Sequence, residues 1–374
     1  MRDSWDVVIV GGGIVGAACA LECASIGMST AVVEARGIGS GATAAGMGHI
    51  VVMDDSPAQM ALTHYSQTLW QGLSNRLPAD VEYEQCGTLW VACDEEEMQE
   101  VRRKHTLYAS AGIRTVALDS RMLADAEPHL RRPLAGALLA PTDAVLYPPC
   151  AAAYLMREAF GLGARLYSRK ALSAQAGRIA LEDGTELHAK CIVNACGADA
   201  PELLPGLAIR KRKGHLAITD RYPGFVRHQL VELGYLKSAH AVTADSVAFN
   251  VQPRRTGQVL IGSSRQYGAE DSASNSAILA AMLERAQWYL PEIGSLSAIR
   301  VWTGFRAATP DKLPLIGPWP GDESLFLATG HEGLGITTSL GTARLLVDHL
   351  QGKTTQIPIE PYLPARLARS EIHA

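Results

Sequence analysis

A glycine-rich segment near the N-terminus, set between two apolar runs, constrains the fold of this chain most strongly. The first run, Val7 to Val10, leads into the glycines, and an alanine-rich segment with apolar spacing follows from Ile14 to Ser25. Gly27 ends that segment, and a second apolar run occupies Thr30 to Val33. This order predicts strand, glycine turn, helix and strand within about thirty residues, the size of a βαβ unit that begins a parallel sheet.

The glycines themselves have the spacing of a dinucleotide-binding turn. Gly11 permits a tight turn, Gly13 lets the backbone approach a pyrophosphate, and Gly16 lets helix and strand pack closely. The amides of the helix N-terminus would face the anion. Glu34 ends the second strand, where an acidic side chain can accept hydrogen bonds from the adenosine ribose. The alternative is an ordinary tight turn, and both NAD and FAD use this unit.

Composition limits the class of protein and its partners. The chain has 374 residues, 47% of them apolar and 19% charged, which is enough for two globular domains. A net charge of −4 argues against nucleic acid as a partner. Seven cysteines at irregular spacing, with no C-x-x-C pair, predict buried thiols in a reducing compartment and neither a metal site nor an iron–sulfur cluster. Without an apolar signal segment or a long apolar run, the expected location is the cytoplasm, with no membrane span.

Apolar periodicity and turn signals extend the prediction along the chain. Asp94 is expected to cap a helix that ends near Gly112, with Glu97 reaching back in a capping box. The other predicted elements are helices at 151–160, 276–289 and from Gly330 to near Gly352, and strands at 165–167, 179–181, 191–194, within 215–265, and at 325–328. These elements predict an α/β fold, with a Rossmann-like nucleotide domain at 1–80, 145–210 and 305–374. An inserted α+β substrate domain with a large mixed or antiparallel sheet would occupy 81–144 and 211–304.

Three further segments favour FAD over NAD by resemblance. The small-residue loop Arg36–Gly48, the turn Asn194–Ala200 and the segment Phe326–Gly335 resemble the flavin-contacting loops of the D-amino-acid oxidase, glycine oxidase and sarcosine oxidase superfamily. Together with the glycine turn they cover nearly the whole chain in the right order. The alternative for the first loop is a flexible glycine-rich segment. The resemblance implies non-covalent FAD held by Gly11, Gly13, Ile14, Val15, Gly16, Glu34, Ala35, Arg36, Ser40, Gly41, Ala42, Thr43, Ala45, Gly46, Met47, Gly48, Ala171, Ala195, Gly197, Gly304, Arg306, Gly330, His331, Glu332, Gly333, Leu334, Gly335, Ile336 and Thr337.

The same resemblance marks the substrate end of the site. It assigns the arginine of Trp302–Arg306 to the substrate carboxylate, for which a planar guanidinium is well suited because it forms two parallel bonds. A structural salt bridge is the alternative role for Arg306. Asn250 stands where members of the family often have a tyrosine, so its part in closing over the substrate amine is open. Gly-His pairs place His49, His215 and His331 as candidates to face flavin or substrate, or simply to pack; His331 is assigned to a flavin loop.

A basic run, Arg210 to Lys213, precedes the second of these Gly-His pairs. Such runs are most often solvated faces. The other interpretation is a docking site for an acidic partner or a phosphate.

The superfamily resemblance implies oxidation of a small amino or imino acid by hydride transfer from the carbon bearing nitrogen to flavin N5. Segments Asp143–Pro149 and Ile357–Arg366 look most like the D-hydroxyproline dehydrogenase β subunit, with hydrogen cyanide synthase and opine oxidase subunits as near relatives. Proline-like, glycine-like and opine substrates therefore stay open. That likeness implies partner subunits carrying a second flavin or an iron–sulfur centre, which would bring the chain to the periphery of the inner membrane. The alternatives are a self-contained oxidase that uses oxygen, a non-catalytic flavin-binding assembly subunit, and, most weakly, an NAD-dependent dehydrogenase.

Overall fold

A computed structural model describes residues 4–234 and 245–368, and its strands form two eight-stranded sheets and a small two-stranded sheet of β3 and β7. The strands are β1 (Ser4–Val10), β2 (Thr30–Val33), β3 (His49–Ile50), β4 (Thr88–Ala92), β5 (Val116–Asp119), β6 (Gly136–Ala140), β7 (Ala144–Val145), β8 (Arg165–Tyr167), β9 (Ala171–Gln175), β10 (Arg178–Leu181), β11 (Glu186–Asn194), β12 (Arg210–Arg221), β13 (Gln229–Glu232), β14 (Ser246–Pro253), β15 (Gln258–Arg265), β16 (Ala298–Ala308), β17 (Leu315–Trp319) and β18 (Asp322–Thr329). The predicted strand-rich stretch 215–265 includes residues 235–244, which lie outside the described residues.

Helices connect and cover these strands. They are α1 (Ile14–Ser25), α2 (Ala42–Ala45), α3 (Pro57–Leu73), α4 (Glu95–Ser110), α5 (Ser120–Ala126), α6 (Pro148–Gly161), α7 (Ala200–Leu203), α8 (Ser276–Tyr289), α9 (Gly335–Leu350) and α10 (Ala365–Ala368). No helix within 4–234 and 245–368 is long and apolar enough to cross a membrane.

The first sheet has the strand order β17-β18-β11-β1-β2-β8, and β10 and β9 extend it from β11. Strands β18, β11, β1, β2 and β8 run parallel. Their apolar side chains are buried on both faces, as in a parallel sheet covered by helices. Helix α1 packs against α6 and α9. The carboxyl ends of β1 and β2 therefore open onto the N-terminus of α1, the usual ligand position in such sheets.

The second sheet has the order β16-β12-β15-β14-β13-β4-β6-β5, and it contains the two longest strands of the described residues, β12 and β16. Only the pair β13 and β4 is parallel among its described pairings. Helix α8 packs on one face, over β14 and β15. This mixed sheet beside a Rossmann-like sheet confirms the predicted fold class.

The cysteines differ in part from the expectation of buried thiols. All seven are free of disulfides, but only Cys19, Cys23 and Cys191 are buried. The other four are partly exposed because they lie in loops or at the ends of elements: Cys86, Cys93, Cys150 and Cys196.

Candidate functional site

One cavity of about 840 Å³ joins the glycine turn of the first sheet to the inner face of the second. Its volume lies within the range of cofactor and ligand pockets. The predicted site residues that line it are Gly11, Gly13, Ile14, Val15, Glu34, Ala35, Arg36, Ser40, Gly41, Ala42, Thr43, Ala45, Gly46, Met47, His49, Ala171, Ala195, Gly197, Asn250, Gly304, Arg306, His331, Glu332, Gly333, Leu334, Gly335 and Ile336. Five candidates from the sequence are not in its lining: Gly16, Gly48, His215, Gly330 and Thr337.

The glycine turn forms one end of the cavity. Gly11 has a positive φ of 113°, and a Cβ atom there would lie 2.6 Å from the carbonyl oxygen of Ala195. A Cβ atom at Gly16 would overlap the carbonyl oxygen of Gly11. Gly16 therefore serves the close packing of α1 on the turn, which explains its position outside the cavity lining.

Helix α1 presents an open N-terminus to this end of the cavity. Its N-cap residue, Gly13, offers no side-chain hydrogen bond, and its first turn contains no acidic residue. Thr43 Oγ1 accepts a hydrogen bond from the Ile14 amide at 3.0 Å. The helix dipole and the remaining amides favour an anion here.

Glu34 lies at the end of β2 and closes the same region. Its Oε2 accepts a hydrogen bond from the Gly12 amide at 2.6 Å. Its Oε1 accepts from the amides of Arg36 at 2.7 Å and Gly37 at 3.2 Å. A carboxylate has about four acceptor positions, so these bonds orient Glu34 and leave capacity for ribose hydroxyls.

The small-residue loop after β2 approaches the second sheet so closely that larger side chains would not fit. A Cβ atom at Gly304 would overlap Cβ of Ala45, and one at Gly46 would lie 2.6 Å from Ile336 Cδ1. The Met47 carbonyl accepts a hydrogen bond from Gln252 Nε2 at 2.6 Å, which holds the loop to β14. The loop therefore forms a narrow wall of the cavity made largely of backbone.

Predicted residues outside the lining hold this wall in place. A Cβ atom at Gly48 would overlap the Leu146 carbonyl oxygen. Thr337 Oγ1 donates to the His49 carbonyl at 2.9 Å and so ties α9 to β3. Gly330 has a positive φ of 78° and lies against Thr309.

Arg306 lies at the other end of the cavity, on β16. Its Nη1 donates to the Ser264 carbonyl at 2.9 Å, and its neighbour across the ladder is Arg212. A Cβ atom on Gly214 would come within 2.5 Å of Arg306 Nη1, so the absence of a side chain there makes room for the guanidinium. Arg212 forms an ion pair with Glu332 and is neutralised by it. A partly exposed guanidinium at a cavity wall is suited to a carboxylate ligand.

The three predicted histidines have different surroundings. His49 lines the cavity, and burial, followed by the charge of Arg306, lowers its pKa to about 4. The imidazole of His49 is therefore neutral near pH 7. His215 Nε2 accepts from the Asn275 amide at 2.9 Å and its Nδ1 contacts Ser264 Oγ at 2.9 Å. His215 thus links β12, β15 and the start of α8, and it is absent from the cavity lining.

His331 lines the cavity from the segment before α9, and its Nε2 lies 3.0 Å from Thr342 Oγ1. Burial lowers its pKa to about 3. In the unfolded chain the histidine pKa is about 6.5, so below that pH the unfolded state binds a proton that the folded state does not. The His331 contribution to stability is intact above pH 6.5 and is lost as the pH falls towards 3.

We expect a His331→Gln variant to have a lower free energy of unfolding than the parent at pH 7. This difference in unfolding free energy should be about 2 kcal/mol smaller at pH 5. Chemical unfolding of both proteins at the two pH values, at equal FAD concentration, measures the gap. An equal gap at both values would contradict a neutral, buried His331.

Three of the four residues of the basic run are paired with acids, and the fourth, Arg210, is exposed. Lys211 pairs with Asp199 at 2.8 Å, Arg212 with Glu332, and Lys213 with Asp271 at 3.1 Å. The side chains of Arg212 and Lys213 are only 10% and 2% exposed. The run begins β12, an interior strand of the second sheet, and burial increases along it from the exposed Arg210 to the buried Lys213.

The second sheet also supplies cavity residues that the sequence analysis missed, including Trp90, Gln229, Val231, Ser263 and Arg265. Gln59 joins them from the first turn of α3. The strand pattern marks alternating residues, but strand pairing between distant segments decides which face meets the cavity. No local motif shows that pairing.

The cavity fits FAD along its whole length. The N-terminus of α1, the glycine turn and Glu34 suit pyrophosphate and ribose, and the backbone wall from Ala45 to Met47 suits a planar ring system. The N-terminus of α9 reaches the same wall at Gly335 and Ile336 and has no acid in its first turn. Its dipole favours negative charge at that place. When bound, FAD would supply a hydride acceptor.

Sheet and cavity together define a flavoprotein of the dinucleotide-binding class. Residues 6–349 match the family described as FAD dependent oxidoreductase, and the chain belongs to that family. This match confirms the superfamily resemblance and FAD as the cofactor of an oxidoreductase.

Named relatives span the full chain. A glycine oxidase of Pseudomonas aeruginosa is 28% identical, with 96% of this chain and 98% of the relative covered. The hydrogen cyanide synthase subunit HcnC of the same species is 26% identical, with 98% and 97% covered. The crystal structure of glycine oxidase from Geobacillus kaustophilus superposes with a TM-score of 0.87 at 27% identity, covering 97% of this chain and 98% of that one.

Proposed function

We propose that this protein oxidises a small amino or imino acid at the carbon bearing its nitrogen, with D-hydroxyproline-like, proline-like, glycine-like and opine substrates as candidates. The observation that carries the proposal is Arg306, a guanidinium at the substrate end of a cavity whose other end fits FAD. The names of the relatives, glycine oxidase above all, support amino acids as the substrate class.

The residues of the chain position the substrate in this proposal. Arg306 binds the carboxylate and fixes the reacting carbon against the backbone wall of the cavity. His49 is neutral at pH 7 and adds no second positive charge beside Arg306. An amine that binds in its neutral form needs no strong base, so catalysis depends on orientation and exclusion of water.

The purified protein tests this proposal directly. We expect it to carry bound yellow flavin, and a screen of D- and L-amino acids and imino acids under anaerobic conditions to reveal substrates that bleach it. Turnover is then measured with each substrate in two assays, one with an artificial dye and one with oxygen as the electron acceptor. Bound flavin with no bleaching by any amine would overturn the proposal and favour a non-catalytic assembly subunit.

We further propose that the physiological electron acceptor is a redox centre on a partner subunit, a second flavin or an iron–sulfur centre, in a cytoplasmic complex that lies at the periphery of the inner membrane. The likeness of Asp143–Pro149 and Ile357–Arg366 to multi-subunit dehydrogenases supports this, as does a relative named as a synthase subunit. The basic run Arg210 to Lys213 does not support a partner subunit, because Lys211, Arg212 and Lys213 pair with acids of the same chain. Glycine oxidase relatives favour the second candidate, a self-contained oxidase.

We expect substrate to reduce the isolated protein much faster than oxygen reoxidises it. Stopped-flow mixing of the oxidised protein with substrate measures the rate of flavin reduction. Mixing of the reduced protein with air-saturated buffer measures the rate of reoxidation. Reoxidation and peroxide formation at the turnover rate would contradict a partner acceptor and support the self-contained oxidase.

A further inference from the structure

A network of two ion pairs lies at the rim of the cavity. Asp199 Oδ2 accepts from Arg36 Nη2, and Asp199 Oδ1 accepts from Lys211 Nζ, each at 2.8 Å. All three residues line the cavity. The side chains of Arg36, Asp199 and Lys211 are 64%, 29% and 34% exposed, so each of them also contacts solvent. The two pairs therefore lie on the boundary between the cavity and solvent.

The network joins three separate segments of the chain. Arg36 begins the small-residue loop after β2, Asp199 ends the turn after β11, and Lys211 is the second residue of β12. The guanidinium of Arg36 passes the loop at Gly41, where a Cβ atom would lie 3.7 Å from Nη2. Because β11 and β12 belong to different sheets, Asp199 connects the loop and the first sheet to the second sheet.

The part of the cavity beside this network is the end that fits the dinucleotide. The Arg36 amide donates to Glu34, the acid suited to the ribose. The turn that contains Asp199 begins directly after Ala195 and Cys196, and a Cβ atom on Gly11 would touch the Ala195 carbonyl oxygen. A cofactor bound along the glycine turn thus lies next to the network.

The network is charged near neutral pH. Burial acts to raise the pKa of Asp199, but the hydrogen bond from Lys211 and the charges of Lys211 and Arg36 lower it overall. The carboxylate is therefore ionised and attracts both cations. Because the two cations outnumber the one carboxylate, the network as a whole also favours a nearby pyrophosphate.

We propose that Arg36, Asp199 and Lys211 form a gate for the cofactor, which must open before FAD enters or leaves the cavity. Asp199 is the centre of this rim gate because a single carboxylate holds both cations. The glycine turn, the N-terminus of α1 and Glu34 supply most of the affinity, whereas the rim gate sets the rate of exchange. This inference concerns the cofactor and is independent of which amine the protein oxidises.

Two other roles for Asp199 predict different kinetics. If the network only added contacts to bound FAD, its loss would speed release and leave association unchanged. If Asp199 withheld the two cations from the pyrophosphate, its neutralisation would free them and slow release. A gate is distinct from both, because its opening precedes entry as well as exit, and weakening it speeds both.

The Asp199→Asn variant tests the rim gate, since it removes the charge and keeps the shape of the side chain. We expect FAD association and release each to become roughly 3- to 30-fold faster, the range that two exposed ion pairs allow, while Kd changes by less than about threefold. Quenching of FAD fluorescence on mixing with apoprotein measures association. Displacement of radiolabelled FAD by excess unlabelled FAD measures release, and equilibrium titration gives Kd.

Salt and companion variants separate charge from shape. Raising the NaCl concentration from about 0.05 M to 0.5 M screens exposed ion pairs and should speed release from the parent more than from Asp199→Asn. Asp199→Glu keeps the charge and should stay nearer the parent, and Lys211→Gln removes one pair and should lie between. Glu186→Gln is the matched control, because Glu186 pairs with Arg178 at 2.7 Å and neither residue lines the cavity. Its rates should equal those of the parent.

The measured rates decide between the three roles. Faster release with unchanged association, slower release, or unchanged rates in a folded Asp199→Asn protein would each overturn the rim gate. Circular dichroism of each apoprotein reports folding. If Asp199→Asn does not fold, the same two rates in Lys211→Gln decide, and a gate again requires both to rise.

Discussion

Replacing Arg306 by alanine is expected to leave FAD bound and to lower kcat/KM for the amino-acid substrate by the equivalent of two to four kcal/mol, on the order of 30- to 1000-fold. The guanidinium would form a charge-assisted pair with the substrate carboxylate inside a cavity, and alanine leaves that carboxylate without a partner. Anaerobic reduction rates at varied substrate concentration, with flavin content measured for each protein, check the expectation.

Two companion variants distinguish the charge of Arg306 from its position. Arg306→Lys should recover only part of the loss, because a point charge does not reproduce the planar fork. Gly214→Ala keeps the arginine but places a Cβ atom 2.5 Å from its Nη1, which must then move, so KM should rise while flavin content holds. Near-wild-type kcat/KM in both the alanine and the lysine variants would show that the carboxylate binds elsewhere.

Local signals gave several element boundaries to the residue. The helix Ile14–Ser25, the strand Thr30–Val33 and the helix Ser276–Tyr289 coincide with the predicted ranges. Glycine, proline and capping residues mark the ends of these elements, and they act over a few residues. The N-terminus of α4 also follows the local signal. The Asp94 side chain accepts a hydrogen bond from the Glu97 amide at 2.9 Å, as predicted. The Glu97 side chain accepts from the amide of Cys93, one residue before the Asp94 amide that a capping box predicts.

Helix α3, by contrast, was not predicted, although Ser56 caps it and Pro57 is its first residue. Its buried face mixes apolar and polar residues, among them Thr63, Ser66 and Gln67. Polar residues on the buried face weaken the apolar periodicity by which a helix is recognised. Two of them bond internally: Thr63 Oγ1 donates to the Gln59 carbonyl at 2.8 Å, and Gln67 Nε2 donates to Asp143 at 2.7 Å.

The residues of the site likewise fall into those that a local motif predicts and those that only long-range strand pairing places. Residues of the glycine turn and the flavin loops act through backbone geometry encoded within a few positions, so motifs locate them. The cavity face of the second sheet depends on pairing of β4 with β13, which brings Trp90 beside Val231 across 141 positions of sequence. The pairing of the basic run could not be predicted for the same reason, because the acid that neutralises Arg212, Glu332, is remote in sequence.

Replacing Gly13 by valine is expected to yield protein that purifies without flavin. A Cβ atom at this position would lie 3.2 Å from Thr43 Oγ1, which already accepts the Ile14 amide. The two further methyl groups of valine would enter the space beside the open N-terminus of α1, where a pyrophosphate must meet the backbone. The variant therefore loses both the room and the preorganised amides that favour the anion.

A matched substitution separates this effect from misfolding. Gly72→Val changes a glycine of α3 with no other atom within 4 Å of its Cβ position, so we expect normal flavin content. Absorbance at the flavin bands gives occupancy, circular dichroism reports folding, and titration with FAD shows whether the Gly13→Val apoprotein can still be loaded. Normal occupancy in a folded Gly13→Val protein would contradict pyrophosphate binding at the glycine turn, since no close approach of cofactor to backbone would then be required there.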